Sequence, residues 1–255
     1  MTSADLSGRV VVITGASSGI GAAAARACAR AGMNVVLGAR RAAVLEEVAA
    51  ECRRMGVSAL PVPVDLRLPE DVERLMSKAF ETFGRVDVLI ANAGAGFHTS
   101  LADATDAQLR DIIDLNVLGV MRCARVAAPL MIAQGRGHII TVSSVSAELV
   151  WPNDAVYGAT KAAVHRFALS LRGELAPHGI AVTDIMPGVI DTPLTATLVN
   201  HHKADAAIVA RAIVRAIESP RAVVVTPRWY RGVLLLNRFL AGSVNRWLGR
   251  MARES

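Results

Sequence analysis

Apolar, β-branched runs recur along the chain, and the segments between them carry their apolar residues at helical spacing. The runs are RVVVIT (9–14), NVVLGA (34–39), SALPVPV (58–64), VDVLIANAG (86–94), GHIITVSS (137–144), GIAVTDIMPG (179–188) and AVVVTP (222–227). The helical segments cover about 19–31, 42–55, 69–83, 106–134, 155–177 and 205–218. Strands apolar on both faces, alternating with amphipathic helices, predict a parallel sheet covered on each side. The expected fold class is α/β, a doubly wound seven-stranded parallel sheet in a single domain over residues 1–227. Two stretches break the alternation, 189–204 and 228–255. Insertions in such sheets lie over the carboxyl ends of strands, where ligands bind, so 189–204 reads as a small substrate lid.

Composition refines this picture. The chain has 255 residues, within the range of one α/β unit. With 53% hydrophobic but only 4% aromatic residues, the core must be aliphatic. Cys28, Cys52 and Cys123 are widely spaced and match no disulfide or metal pattern, which points to buried thiols in a reducing compartment. The six histidines show no metal spacing, and no metal is expected. The N-terminus lacks the basic and apolar regions of a signal peptide, and no 18-residue stretch is uniformly apolar. These features suggest a cytoplasmic protein.

The net charge of +6 is concentrated: residues 221–255 hold seven arginines and one acid, Glu254. Leu236, Leu240, Val244, Trp247, Leu248 and Met251 recur at helical spacing, and Arg238, Arg246, Arg250 and Arg253 fit the other face. Residues 228–255 therefore read as a basic amphipathic extension of the same domain. Such a helix either packs on a partner subunit or beside the substrate pocket, the favoured reading, or lies on an anionic membrane surface. Without a recognition motif, nucleic acid is not an expected partner.

After the first run comes TGASSGIG, Thr14 to Gly21, opening an alanine-rich helix. Glycines at Gly15, Gly19 and Gly21 let backbone approach a pyrophosphate, and the helix N-terminus offers free N–H groups from Ser17, Ser18 and Ile20 onward. At this place in a βαβ unit the loop reads as a dinucleotide site. The second run ends GARR. Where an NAD enzyme places an acid for the ribose hydroxyls, this chain has Ala39, then Arg40 and Arg41. Guanidinium groups pair with a 2′-phosphate, so the reading is NADP(H); the alternative is that both arginines begin a solvated helix.

Tyr157 and Lys161 are four apart at the start of a helix, and Lys161 is one of only three lysines. Helical neighbours at this spacing touch, and a nearby cation lowers a phenol's pKa, ordinarily about 10. Ser144 ends the preceding strand, and Asn116 lies in DLNVLG. With TGxxxGxG, the NAG of Asn92–Gly94 and the turn PGVIDT (187–192), this set closely resembles the short-chain dehydrogenase/reductase family over residues 8–226. The resemblance implies a Rossmann fold and a catalytic tetrad of Asn116, Ser144, Tyr157 and Lys161. In that scheme Tyr157 is the acid/base toward a carbonyl or alcohol, and Ser144 stabilises the same oxygen. Lys161 binds the nicotinamide ribose, and Asn116 holds a relay water. The resemblance further implies cofactor contacts from Asp65 at the adenine edge, Leu66, Asn92, Ala93 and Gly94, and a carboxamide clamp from Pro187, Gly188, Ile190 and Thr192. Asp65 reads equally well as a helix cap before Pro69. Family members are commonly dimers or tetramers.

The substrate pocket is expected from Ser144, Tyr157, Leu149, Trp151 and Val189, together with Phe97, His98 and Glu148. Its apolar wall suggests a hydrophobic ketone or aldehyde. The competing reading is a catalytically silent nucleotide-binding scaffold of the same fold.

Overall fold

The computed structural model describes residues 5–97, 99–151, 154–197 and 203–251. Seven parallel strands form the central sheet: β1 (Val10–Thr14), β2 (Asn34–Ala39), β3 (Ala59–Pro63), β4 (Val88–Ala91), β5 (Gly137–Val142), β6 (Ile180–Pro187) and β9 (Val223–Thr226). Their spatial order is β3-β2-β1-β4-β5-β6-β9. The order reverses between β1 and β4, opening a crevice at their carboxyl ends. β3 carries Pro61 and Pro63, which lack ladder donors, and it lies at a sheet edge where that is tolerated.

Helices α1 (Gly19–Arg30), α2 (Ala42–Arg53) and α7 (Ala206–Glu218) bury an aliphatic core on one face of the sheet. On the other face lie α3 (Pro69–Phe83), α5 (Gly119–Gln134) and α6 (Ala155–Leu175). Val11, Ile13 and Val35 point to the first core, and Val10, Val12 and Val36 to the second. That alternation is why the strands read as continuous apolar runs.

The segment expected to be one helix over 106–134 is interrupted. α4 (Asp106–Ile113) and α5 are joined by a π-helical turn, Asp114–Leu118, which contains the fully buried Asn116. Extra residues in such a turn re-aim side chains, and π-turns occur often at functional sites. Among the described residues, 106–134 is also the one helical stretch long and apolar enough to cross a membrane, with a mean hydropathy of 1.4 over an 18-residue window. Here its apolar residues Val120, Cys123, Ala124, Ala127 and Met131 pack in the core beneath the sheet.

After β6 come the short strands β7 (Ile190–Asp191) and β8 (Ala204–Asp205), which pair with each other. Residues 198–202, with His201 and His202, lie outside the described residues.

The C-terminal helix α8 (Tyr230–Met251) is kinked at Leu240, just before the Gly242–Ser243 pair. Its inner face differs from the predicted stripe. Tyr230, Leu234 and Asn237 are buried, the first two against Val145, Leu149, Met186 and Val225, whereas Leu236 and Leu240 face outward. Beyond Leu240 the expected stripe and arginine side chains fall outside the described side chains.

Candidate active site

A cleft of about 580 Å³ lies over the carboxyl ends of the strands. One wall is the loop from Gly15 to Ile20. Gly15 (φ +67°) and Gly19 (φ +54°) are left-handed, which other residues adopt only with strain. A Cβ on Gly15 would lie 2.8 Å from the Ala93 Cα, and one on Gly21 would lie 2.2 Å from the Gly15 carbonyl oxygen. Thr14 locks this loop to the end of β4: its Oγ1 accepts from the N–H groups of Asn92 (3.0 Å) and Ala93 (3.1 Å), and its carbonyl accepts from Asn92 Nδ2 (2.9 Å). Ser17, Ser18, Gly19 and Ile20 face the cleft, and Gly21 supports them from behind.

Arg40 and Arg41 line the cleft beside this loop, and both are exposed. Arg41 Nη2 donates to Ser17 Oγ (3.0 Å) and Ser18 Oγ (2.9 Å), tying the start of α2 to the phosphate loop. Asp65 and Leu66 also line the cleft. The Arg67 guanidinium forks onto the Asp65 carboxylate and holds it below its ordinary pKa. Asp65 does not cap α3, whose N-cap is Leu68; instead its own N–H donates to Asp71 Oδ2 (2.7 Å).

Ser144, Tyr157 and Lys161 converge on the opposite end of the cleft. Ser144 sits where β5 gives way to a 3-10 turn, and its Oγ accepts from the Ser146 N–H (3.1 Å). Its hydroxyl also bonds the Tyr157 phenol. Lys161 Nζ stands 5.7 Å from the Tyr157 ring centroid and donates to the Val142 carbonyl (2.9 Å). Burial pushes the Tyr157 pKa up, the Asp154 charge adds to that, and the Ser144 hydrogen bond opposes it. Desolvation is the largest of these effects on the phenol. The same burial pushes Lys161 down to about 8, against the pull of Asp184.

Asn116 is behind the cleft wall. Its Oδ1 accepts from the Ala95 N–H (2.8 Å), and its Nδ2 donates to the Ala95 carbonyl (3.0 Å) and Thr160 Oγ1 (3.1 Å). It thus clamps the Gly94–Ala95 backbone to α6, between Tyr157 and Lys161. A Cβ on Gly94 would meet Asn116 Oδ1 at 3.2 Å and Lys161 Nζ at 3.4 Å.

Pro187, Gly188, Ile190 and Thr192 form the remaining rim. The Thr192 methyl group approaches Gly19, so the turn after β7 meets the glycine-rich loop. Five described residues expected at the substrate pocket do not line this cleft: Phe97, Glu148, Leu149, Trp151 and Val189. Leu149 is buried in the cluster beneath α8, with Trp151 against it, and the Val189 N–H points to the Tyr230 hydroxyl at 3.4 Å. The physical reason is α8, which covers the site these residues would otherwise open onto. Phe97 is buried, and His98 lies outside the described residues.

A family model described as short chain dehydrogenase matches residues 9–203. An uncharacterised oxidoreductase of Staphylococcus aureus strain MRSA252 is 36% identical over 220 residues, 86% of this chain and 94% of the relative. The chain belongs to the short-chain dehydrogenase family. Its structure superposes on that of a short-chain dehydrogenase/reductase from Burkholderia phymatum in complex with NAD, with TM-score 0.86 and 27% identity, covering 92% of this chain and 94% of that one. The L-sorbose reductase of Gluconobacter frateurii, solved with NADPH and L-sorbose, gives TM-score 0.81 and 31% identity, covering 87% and 97%. Relatives of the same fold thus hold either nicotinamide cofactor.

Short-chain dehydrogenase motifs did not point to Asp184, Ser143 or His165. Asp184 is fully buried in β6, and its carboxylate accepts from Thr141 Oγ1 (2.7 Å), Ser143 Oγ (2.6 Å) and His165 Nδ1 (2.7 Å). The sequence carried a signal: an acid inside the otherwise apolar run GIAVTDIMPG, where a carboxylate is rarely buried unless partnered. Among the described residues no group of His, Cys, Asp or Glu could hold a metal ion.

Proposed function

We propose that this short-chain dehydrogenase transfers hydride between NADP(H) and the carbonyl or secondary alcohol of a small, apolar molecule. The observation that carries this reading is the convergence of Ser144, Tyr157 and Lys161 on a cleft that the glycine-rich loop after β1 also lines, with Gly15 and Gly19 left-handed. The nicotinamide supplies or takes the hydride. The Gly15–Gly21 loop and α1 N-terminus would hold the pyrophosphate, with Asn92, Ala93 and Gly94 along the adenosine ribose. Asp65 and Leu66 would flank the adenine, and Pro187, Gly188, Ile190 and Thr192 the nicotinamide end.

Tyr157, protonated because its site is desolvated, gives its proton to the carbonyl oxygen during reduction and takes it back in oxidation. Ser144 donates to the same oxygen and stabilises its developing charge. Lys161 binds the ribose hydroxyls and returns a proton toward Tyr157. Asn116 acts by position, since its amide is committed to Ala95 and Thr160. Arg40 and Arg41 support NADP(H) over NAD(H), because the cleft rim there presents two guanidiniums.

Tyr157→Phe tests the assignment. The variant should bind NADPH as the parent does, read by nicotinamide fluorescence, and lose about 10²–10⁴-fold in kcat on any accepted carbonyl. Normal turnover by the variant would remove Tyr157 from its role. A carbonyl panel of aldehydes, ketones, steroids and quinones separates this reading from a silent scaffold, which would bind cofactor and turn over none.

We further propose a homo-oligomer in which the outer face of α8 contacts a second subunit rather than a membrane. The three buried, unpaired cysteines support a cytoplasmic setting; burial pushes the Cys28 thiol up to about 12, which makes it unreactive.

A further inference from the structure

We infer that Asp184 is a positioning residue for Lys161: a fully buried negative charge, clamped by Thr141, Ser143 and His165, that keeps the neighbouring lysine a cation at the cleft. This rests on the proposed role of Lys161 as a proton-holding group.

The argument begins with register. Thr141 of β5 and Asp184 of β6 are paired residues, so their side chains share one face of the sheet. Ser143, two residues on from Thr141, lies on that face too, and both hydroxyls donate to the carboxylate. α6 covers this face. Tyr157, Lys161 and His165 follow at successive intervals of four along it, which places them in one row. His165 Nδ1 closes on Asp184 at 2.7 Å, one turn after Lys161. The Lys161 ammonium meanwhile donates to the carbonyl of Val142, the residue between Thr141 and Ser143. Carboxylate and ammonium therefore grip the same three-residue strand end, and Ser144 follows directly from it.

A buried ammonium without an opposing charge sheds its proton. Among the described residues Asp184 is the acid whose charge acts on Lys161 in that direction. The carboxylate is held in place by its three partners, Thr141, Ser143 and His165. The groups facing this set are His165 and Tyr157 on α6, Asp154 before it, Glu148 after β5 and Arg238 on α8. His165 Nε2 is 3.9 Å from Glu148 Oε1, which is 3.5 Å from Arg238 Nη2. His165 thus stands between two carboxylates and is held protonated to a higher pH than usual, mainly by the Asp184 bond. It orients the Asp184 carboxylate from the side opposite the strand.

The chain has only Lys78, Lys161 and Lys203, so its lysine side chains can be followed individually by NMR with ¹³Cε-lysine label. In the cofactor-free full-length protein, Asp184→Asn should lower the Lys161 titration midpoint by about one unit or more, a tenfold loss of proton affinity. Lys78 and Lys203 should not move. A midpoint unchanged within about 0.3 units in a cooperatively folding Asp184→Asn protein would overturn the inference. Where that variant fails to fold, Lys161→Met read at His165 decides. Removing a cation that shares Asp184 should raise the His165 midpoint by about half a unit or more, and an unmoved His165 would overturn the coupling. Neither readout uses turnover, so their failure is distinct from failure of the proposed reaction.

Discussion

Tyr157 and Lys161 move in opposite directions from their ordinary values for one reason, desolvation of the charged form. The phenol stays protonated, which suits a proton donor. Lys161, pushed down to about 8 from 10.5, is a cation only below that pH. Carbonyl reduction that draws on the Lys161 proton should therefore fall as pH rises through about 8, with Tyr157 still protonated across the same window. A reduction profile flat from pH 7 to 10 would contradict the assignment. The sign for stability is the reverse. Between about 8 and 10.5 the unfolded chain binds this proton and the folded chain does not, so this group's contribution rises with pH there. Lys161→Met should match or exceed the parent's melting temperature at pH 7, with the gap narrowing by pH 9.5. The cofactor choice is argued at the same scale. Arg40→Asp should cost roughly ten- to a hundredfold in NADPH affinity, the worth of a charge-assisted phosphate contact, and shift preference toward NADH. Equal parental affinity for both cofactors would exclude the NADP(H) reading.

Among the elements, the βα turn after β1 is packed so closely that added side chains would collide with backbone. A Cβ on Gly21 meets the Gly15 carbonyl at 2.2 Å and Asn92 Nδ2 at 2.7 Å, so Gly21→Ala forces the loop away from the end of β4. Overpacking of this kind costs about 1–3 kcal/mol, or roughly 2–10 °C in melting temperature for a domain of this size. The same shift should weaken NADPH binding, and calorimetry on one sample tests both. An alanine variant with parental affinity would show that the glycine serves only the turn. The break between α4 and α5 is the element that periodicity hid. Apolar spacing runs through 106–134 unbroken, since one π-turn shifts the helical phase by a single residue. Asn116 was identifiable as a site residue from its motif, but its clamp on Ala95 and Thr160 required the fold to bring residues 21 and 44 positions apart together.

For the whole molecule, α8 is the piece whose role differs most from its sequence pattern. Its inner face seals the cluster of Val145, Leu149, Met186 and Val225, and Asn237 Nδ2 donates to the Glu148 carbonyl at 3.0 Å. Its outer face leaves Leu235, Leu236 and Phe239 exposed, the last at 79%. Truncation after Arg231 should lower the melting temperature, because it uncovers that cluster, and should reduce the oligomer seen by light scattering. Intact protein should not float with anionic vesicles at low salt. Flotation of an unchanged oligomer would instead favour the membrane surface.

The sequence by itself determined the layered α/β architecture, because strands buried on both faces must be apolar throughout and helices covering them must be amphipathic. Local spacing also marked out the glycine-rich turn after β1 and the residues Ser144, Tyr157 and Lys161, which the fold brings to one cleft. Tertiary structure alone decided which expected pocket residues reach the cleft. Leu149 and Trp151 follow Ser144 closely in the chain, yet a helix some 80 residues later covers them. It decided the surroundings of the site as well: β6 brings Asp184 to α6, where it meets His165. Burial and cross-strand charge are properties of the packed molecule, and no spacing along the chain encodes them.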